Sequence, residues 1–390
     1  MSVAAGRLPI PFGRRASAVP ERATAVRTTR SSTYVLLLAT VGVLNIVGVI
    51  MVLSASSVAS LTNYGSAWYF FQRQVIWTVL GVIAFAVTAR IDYHLWRRLV
   101  VPLLVVSFAL LVLVLVPGVG VYVAGSRRWL GTGSLRFQPT ELVKLALLIF
   151  SADVLSRRAA DVHDWRKVLR PVLLILAAVA VLVLRQPDLD STVVLALIVG
   201  AVLVVGGVRA RHLAVVGGAG VTVAAILAVS EPYRRARVLT YLHPWADAGN
   251  SGYQLSQSLI ALGSGGLTGV GLGAGRAKWL FLPNAHTDFI FAIIGEEVGL
   301  LGCLLVVALF VAFGVLGTRI ALRAPDRFGM LLAAGITVWV VGQAVINIGG
   351  VVGLLPVSGI SLPFVSFGGS ALVFTMIGAG LLGSVAHRAR

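Results

Sequence analysis

The chain is a succession of long apolar runs separated by short charged, proline-containing or glycine-rich breaks. A helix needs about 20 apolar residues to cross the hydrocarbon core of a bilayer. Ten such segments are predicted, at 34–54, 75–89, 99–116, 142–155, 172–184, 192–208, 213–229, 289–317, 328–350 and 370–386. The fourth and fifth are short for a full crossing, which predicts bilayer thinning or an irregular buried end there. Backbone that leaves a helix at membrane depth has to be enclosed by protein or line a cavity. The expected fold class is therefore an all-α membrane protein of about ten transmembrane helices. A large extracytoplasmic loop, about 230–288, joins spans seven and eight.

Composition strengthens this picture. Of 390 residues, 58% are hydrophobic and only 12% charged, against about 25% charged in a soluble domain. The net charge of +18 raises the question of nucleic acid. No soluble domain with a basic face supports that reading, and no nucleic-acid partner is expected. Cations that gather in cytoplasmic loops account for the charge. Residues 1–32 carry Arg7, Arg14, Arg15, Arg22, Arg27 and Arg30 among Pro, Ser and Ala. They read as a disordered basic cytoplasmic tail, followed by a polytopic domain over 33–390. The first apolar run is of span length with no cleavage pattern behind it, so it is not a removable signal. Cys303, the single cysteine, has no partner for an intramolecular disulfide and reads as a small buried hydrophobe.

Charge also orients the chain. With the N-terminus inside, the inner loops hold Arg90, Arg97, Arg98, Arg157, Arg158, Arg166, Lys167, Arg170, Arg209, Arg211, Arg319, Arg323 and Arg327, and the C-terminus Arg388 and Arg390. The positive-inside rule thus puts both termini in the cytoplasm. The exceptions are clusters left on the outer side: Arg127, Arg128 and Arg136; Arg185; Arg234, Arg235 and Arg237; Arg276 and Lys278. Topology does not require them, so they are candidates for binding an anionic ligand. Translocation of a long loop regardless of its charge is the other account, and it fits best for the loop of 231–287.

Within that loop, residues 253–262 read as a short amphipathic helix with Leu255, Leu259 and Leu262 on one side. The glycine-rich 263–275 reads as a hinge or re-entrant turn, because no strand–helix–strand context makes it a nucleotide loop.

Three clusters can carry chemistry. Asp288 stands at the outer mouth of the eighth span, two residues after His286. A carboxylate there can take a proton from a sugar hydroxyl, or can simply cap the helix. Glu296 and Glu297 lie deeper in the same span, and structural pairing or a polar cavity wall suits them better than catalysis. In the second cluster, Arg127, Arg128 and Trp129 precede Gln138, Pro139, Glu141 and Lys144. The acid and the lysine are three apart and share a helix face. Gln186, Pro187 and Asp188 repeat the Gln-Pro-acid opening at the sixth span, and the two openings suggest a shared polar floor. The third cluster runs from Asn347 through Pro356 and Pro363 to Ser366, with enough Gly and Ser to break helical periodicity. It reads as a pocket wall folded back into the outer leaflet. No zinc spacing and no Ser-His-Asp arrangement is legible.

Together these clusters resemble the shape, elongation, division and sporulation (SEDS) family, whose branches include FtsW and RodA. The Gly353-x-x-Pro-x-x-Gly spacing and Ser366-x-Gly-Gly-Ser match its C-terminal motif, and His286-Thr-Asp-Phe-Ile-Phe with Gly295-Glu-Glu is similar to its most specific segment. Phe367 stands where many members carry Tyr, Asn284 replaces a frequent Glu and Asp190 a frequent Gly. Residues 34–57 and 68–73 look more like the FtsW branch.

The resemblance implies a bacterial plasma-membrane peptidoglycan glycosyltransferase with its active site on the outer face. It would polymerise lipid II into β-1,4 glycan strands by inverting displacement of polyprenyl pyrophosphate. It implies Asp288 as the catalytic base and Trp129, Arg127, Gln138, Glu141 and Lys144 as the surrounding polar set. Arg128, Arg185, Gln186, Asp188, Arg234, Arg235, Arg276, Lys278, His286 and Ser366 complete the expected substrate-binding residues. Expected partners are a class B penicillin-binding protein that supplies transpeptidation and other divisome or elongasome membrane proteins. No cofactor is assigned, and a divalent cation, Mg or Mn, is a candidate to assist. The competing readings are a lipid II flippase, which Lys144, Glu296 and Glu297 would suit, and a scaffold without chemistry.

Overall fold

A computed structural model describes residues 22–123, 126–131, 136–230, 235, 240–250 and 252–389. The helices are α1 (Arg22–Tyr64), α2 (Tyr69–Arg90), α3 (Leu95–Arg98), α4 (Val100–Leu113), α5 (Pro139–Arg157) and α6 (Arg170–Leu184). They continue as α7 (Leu189–Val205), α8 (Ala210–Ser230), α9 (Tyr253–Gly265), α10 (Ile290–Leu322), α11 (Arg327–Val351) and α12 (Ser370–Arg388). An antiparallel hairpin, β1 (Val121–Val123) and β2 (Ser126–Trp129), joins α4 to α5. Each predicted span falls on one of these helices. Helix α1 begins at Arg22, within the segment 1–32 predicted as a tail; residues 1–21 of it lie outside the described residues.

Seven of the described helices are long and apolar enough to cross a membrane, counting the helix that runs from Trp165 to Leu184 as one. Large apolar side chains on their outer faces, such as Val215, Val221 and Leu301, stay more than 60% exposed. In water such a surface would aggregate; in lipid it is at home. This is an integral membrane protein. The two spans that look short in sequence have different explanations. The fifth gains a π-helical turn, Trp165–Leu169, ahead of α6. The fourth, α5, has 19 residues and so extends about 28 Å. Its polar residues disguise it: Thr140, Glu141, Lys144, Ser151 and Asp153 are all buried, because α5 lies inside the bundle against α4, α7 and α11.

Alternating helix direction gathers the last residues of α1, α4, α6, α8 and α11 and the first of α2, α5, α7, α10 and α12 at one end. The opposite end is tied by ion pairs. Arg97 and Arg157 each donate to Asp153 Oδ1 at 2.8 Å, and Tyr93 donates to Asp326. Burial and that bond to Asp326 push the Tyr93 phenol well above the usual tyrosine range.

The glycine-rich segment is built into the fold. Helix α10 breaks at Gly299, whose φ is +76°, and the segment after α9 takes over the freed backbone groups. Val270 N donates to Glu296 O at 3.0 Å, Gly271 N to Glu297 O at 3.0 Å, and Leu300 N to Gly266 O at 2.9 Å. A side chain at Gly269 would collide with Glu297 O, and one at Gly299 with Gly269 N. A backbone break at this depth is tolerated because protein partners satisfy it. Both acids of the helix serve the same junction. Glu296 accepts from the backbone N–H of Arg276 and Ala277, at 2.7 and 3.1 Å. Glu297 accepts from Lys278 Nζ at 2.9 Å, Ser54 Oγ at 2.6 Å and Gly273 N at 3.0 Å. The structural role expected for them is the one they have.

Candidate active site

A cavity of about 1000 Å³ opens among the helix ends, bounded by α2, the β hairpin, α5, α7, α9, the 283–289 segment and the 357–371 segment. Its floor comes from α5 and α11. Pro at the first turn of α5 costs no hydrogen bond and starts the helix so that Glu141 and Lys144 project together into the cavity. Their ion pair is 2.8 Å long with 6% and 3% of the side chains exposed. Lys144 also donates to Gln343 Oε1 at 3.1 Å and lies 5.5 Å from the centroid of the Trp339 ring. Trp339 Nε1 bonds the same amide oxygen at 3.1 Å.

Asp188 caps α7 by accepting from Ser191 N at 3.1 Å and Ser191 Oγ at 2.8 Å. It accepts from Gln138 Nε2 at 3.3 Å as well, so the two Gln-Pro-acid openings do meet in one polar floor. Their glutamines differ, however. Gln186 is buried away from the cavity, where its amide reaches Leu111 O at 3.3 Å and ties the α6–α7 turn to α4. Arg128 reaches the same turn from the hairpin. It donates to Gln186 O at 3.0 Å and to Pro187 O, and lies 3.7 Å from Asp188. Ser126, Arg128 and Trp129 of the hairpin line the cavity, and Arg127 does not.

Asp288 lines the mouth, half-buried, just ahead of α10. The third sequence cluster holds this acidic segment residue by residue. Phe367 N donates to His286 O at 3.0 Å, Ser366 Oγ to Thr287 O at 2.5 Å, and Asn347 Nδ2 to Asp288 O at 2.8 Å. Asn347 Nδ2 also donates to Ile360 O at 2.8 Å, and Leu362 N donates to Ser366 Oγ at 2.9 Å. Three consecutive carbonyls are thus fixed, which sets where the Asp288 side chain starts. The substitution at Asp190 has a function here, since Asp190 Oδ2 accepts from Gly359 N at 2.9 Å and joins α7 to the same segment.

The candidates from sequence therefore divide. Asp288, Arg128, Trp129, Gln138, Glu141, Lys144 and Asp188 line one cavity. Arg127, Arg185, Gln186, Arg235, Arg276, Lys278, His286 and Ser366 do not line it. Arg185, Arg235 and Arg276 are exposed, Lys278 is spent on Glu297, and Ser366 is a clamp. His286 packs its ring against Phe70 and Phe367, with centroids 4.4 and 5.8 Å away. Burial there pushes its pKa down to about 4. Arg234 lies outside the described residues. The sequence reading named Arg136 only among the outer-side cations that could bind an anion, and it passed over Arg73, Tyr64, Tyr69 and Gln343; all five line the cavity. Each sits at a helix end or in an apolar run, where no local motif marks it. Among the described residues, no group of three or more His, Cys, Asp or Glu side chains could hold a metal ion.

A polytopic helical membrane protein with one large, charged cavity at a single end is the class that fold and site define. Residues 34–390 match the FtsW/RodA/SpoVE family, described as cell cycle proteins, and the chain belongs to it. It is 42% identical over 344 residues to stage V sporulation protein E of Bacillus subtilis, covering 88% of this chain and 94% of that one. It is 40% identical over 343 residues to the probable peptidoglycan glycosyltransferase FtsW of Geobacter metallireducens, covering 87% and 91%. In structure it is similar to a chain of a peptidoglycan synthase complex solved for its coordination of polymerization and crosslinking. That likeness has a TM-score of 0.75 at 30% identity, over 90% of this chain and 97% of that one.

Proposed function

We propose that the protein is a peptidoglycan glycosyltransferase that polymerises lipid II at the outer face of the bacterial plasma membrane, with Asp288 as general base. The observation that carries this reading is the clamped Asp288 at the mouth of a cavity that also holds Glu141, Lys144, Arg128 and Trp129. Of the three acids among the described residues that line that cavity, Asp188 caps α7 and Glu141 is paired with Lys144. Asp288, at the entrance, has the position for proton abstraction. The family membership and the names of the relatives agree with this chemistry. The positive-inside bias puts the cavity end outside and both termini in the cytoplasm.

In the reaction, the 4-hydroxyl of the acceptor lipid II gives its proton to the Asp288 carboxylate as its oxygen attacks the anomeric carbon of the growing chain. The bond from that carbon to the polyprenyl pyrophosphate breaks, and its electron pair leaves with the pyrophosphate. A single displacement inverts the α-linked donor to a β-1,4 bond. A class B penicillin-binding protein would crosslink the strands as partner. The charges that would suit a flippase are held in fixed pairs, Lys144 with Glu141 and Lys278 with Glu297, which favours the enzyme. Replacing Asp288 by Asn tests the assignment. Lipid II polymerisation in detergent should fall by about 10²–10⁴ with the melting temperature unchanged, and robust glycan synthesis by that variant would remove Asp288 as the base.

A further inference from the structure

The segment that carries Asp288 is clamped at its carbonyls by Asn347 and Ser366, but it reaches that clamp from backbone with little stiffness of its own. Gly266, Gly269, Gly271 and Gly273 all take positive φ, and glycine backbone has many other conformations open to it. Between that stretch and Asp288, Trp279, Leu280 and Phe281 are each more than half exposed, so side-chain packing does little to hold the approach. Leu280 and Asn284 adopt φ of +69° and +56°, which L residues keep only where their surroundings over-determine them.

A buried ion pair stands at the root of this approach. Lys278 Nζ lies 2.9 Å from Glu297 Oε1, with 5% and 0% of the two side chains exposed. The ammonium also donates to Gly273 O at 2.6 Å and to Ser54 Oγ at 3.2 Å. Gly273 N and Ser54 Oγ in turn donate to Glu297 Oε2, at 3.0 and 2.6 Å. One pair thus joins the last of the four glycines, α1 and α10. Asp288 stands midway along the chain between Lys278 and Glu297. After it, α10 runs from Ile290 through Glu297. Before it, turns fill the distance, with Leu282 N donating to Ala277 O at 2.9 Å and Thr287 N to Asn284 O at 3.1 Å. The pair closes a loop that has Asp288 at its centre. A buried ion pair adds little stability over apolar side chains of similar size, and its best-attested use is to fix register.

We propose that the Lys278–Glu297 pair, anchored to α1 through Ser54, is a staple that positions Asp288. It holds the approach segment in one register against α10 and keeps the freedom of the glycine-rich stretch from reaching the acid. Lys278 and Glu297 are positioning residues, acting through Asp288. The proposal rests on the polymerase reading, in which a base displaced by about 1 Å costs on the order of 10²-fold in rate.

Purified full-length protein in detergent is assayed for polymerisation over a range of lipid II concentrations, and each variant is melted in the same detergent. Lys278→Met combined with Glu297→Met removes the staple without stranding a charge, so the melting temperature should stay within about 5 °C of wild type. Its kcat should nevertheless fall at least about tenfold, with KM changed less than about threefold. Glu297→Gln keeps an oxygen for the ammonium and should rescue most of that loss, leaving kcat about threefold below wild type. A folded double variant with wild-type kcat means that the pair is only structural, and overturns the proposal. Should the double variant misfold, wild-type kcat in Glu297→Gln overturns it instead, as does a loss confined to KM in whichever variant folds. Asp288→Asn, run alongside, keeps the two readings apart. Polymerisation by that variant removes the base, whereas its inactivity together with wild-type kcat in the double variant overturns the staple alone.

Discussion

Replacing Lys144 by Met tests how the cavity floor is held. The ammonium is the only group within ion-pair distance of Glu141 among the described residues, and Glu141 Oε2 already has no hydrogen-bond partner. With Lys144 gone, a carboxylate whose side chain is 6% exposed would be left charged and uncompensated. Removing one partner of a buried pair in this way costs about 3–5 kcal/mol. The reciprocal change, Glu141→Gln, should cost less, about 1–3 kcal/mol. Lys144 would keep Gln343 Oε1 at 3.1 Å, the face of Trp339, and an amide oxygen in place of the carboxylate. Combining the two leaves no stranded charge, so the double variant should be more stable than the sum of its parts predicts, by about 1.5 kcal/mol or more. Thermal unfolding of the four proteins in one detergent reads this directly, with Lys144→Met lowered on the order of 5–10 °C. Strict additivity of the two single changes, or a Lys144→Met protein that melts with wild type, would refute the picture of a desolvated pair. Polymerisation should stay low in the double variant even where stability returns, since both side chains line the cavity.

Two further outcomes follow from the same geometry. His286 has its pKa lowered to about 4 from the ordinary 6.5, so the folded protein holds fewer protons than the unfolded one between those values. Its contribution to stability is complete above about 6.5 and drains away as pH falls toward 4; His286→Phe should flatten that limb in a pH series of melting curves. Asn347→Leu strands Asp288 O and Ile360 O, and should reduce kcat at least about tenfold with little change in KM; a matched loss in KM alone would mean that Asn347 does not position the base.

Much of the fold was legible from periodicity and length, because lipid punishes any span that is not a helix. The limits lay where burial is set by tertiary packing. Helix α5 reads as short because its ends, Pro139–Glu141 and Ser156–Arg157, are not apolar, yet the helix runs through them and Glu141 pairs with Lys144 inside the bundle. Topology rules can say that Arg127, Arg185 and Arg276 lie on the cavity side of the chain. They cannot say which of them faces the cavity, because that depends on the local geometry of an irregular hairpin and on how loops fold back. Arg73 was missed for the converse reason: it stands in the first turns of α2, where it looks like a cation at a membrane boundary. Asn347 and Ser366 were found as a motif, but their role as clamps on residues 286–288 appears only once α11 and the segment before α12 are placed beside the mouth of α10.

The distribution of bonds separates what this site holds still from what it leaves available. The floor is extensively bonded: Asp188 accepts from Ser191 and Gln138, Lys144 is shared between Glu141 and Gln343, and Arg128 is locked to a turn, with Glu141 Oε2 left without a partner. The acid at the mouth has its backbone fixed at three successive carbonyls. Against this rigid frame, Arg73 Nε and Arg136 Nε have no hydrogen-bond partner among the described residues. A site built for charge that develops and then leaves requires this division. Preorganised groups stabilise a transition state without reorganising, whereas donors already satisfied by protein have nothing to offer a leaving group. On the proposed function, the acid at the mouth is where proton transfer meets this rigid frame, and the floor beside it is held by bonds within the protein.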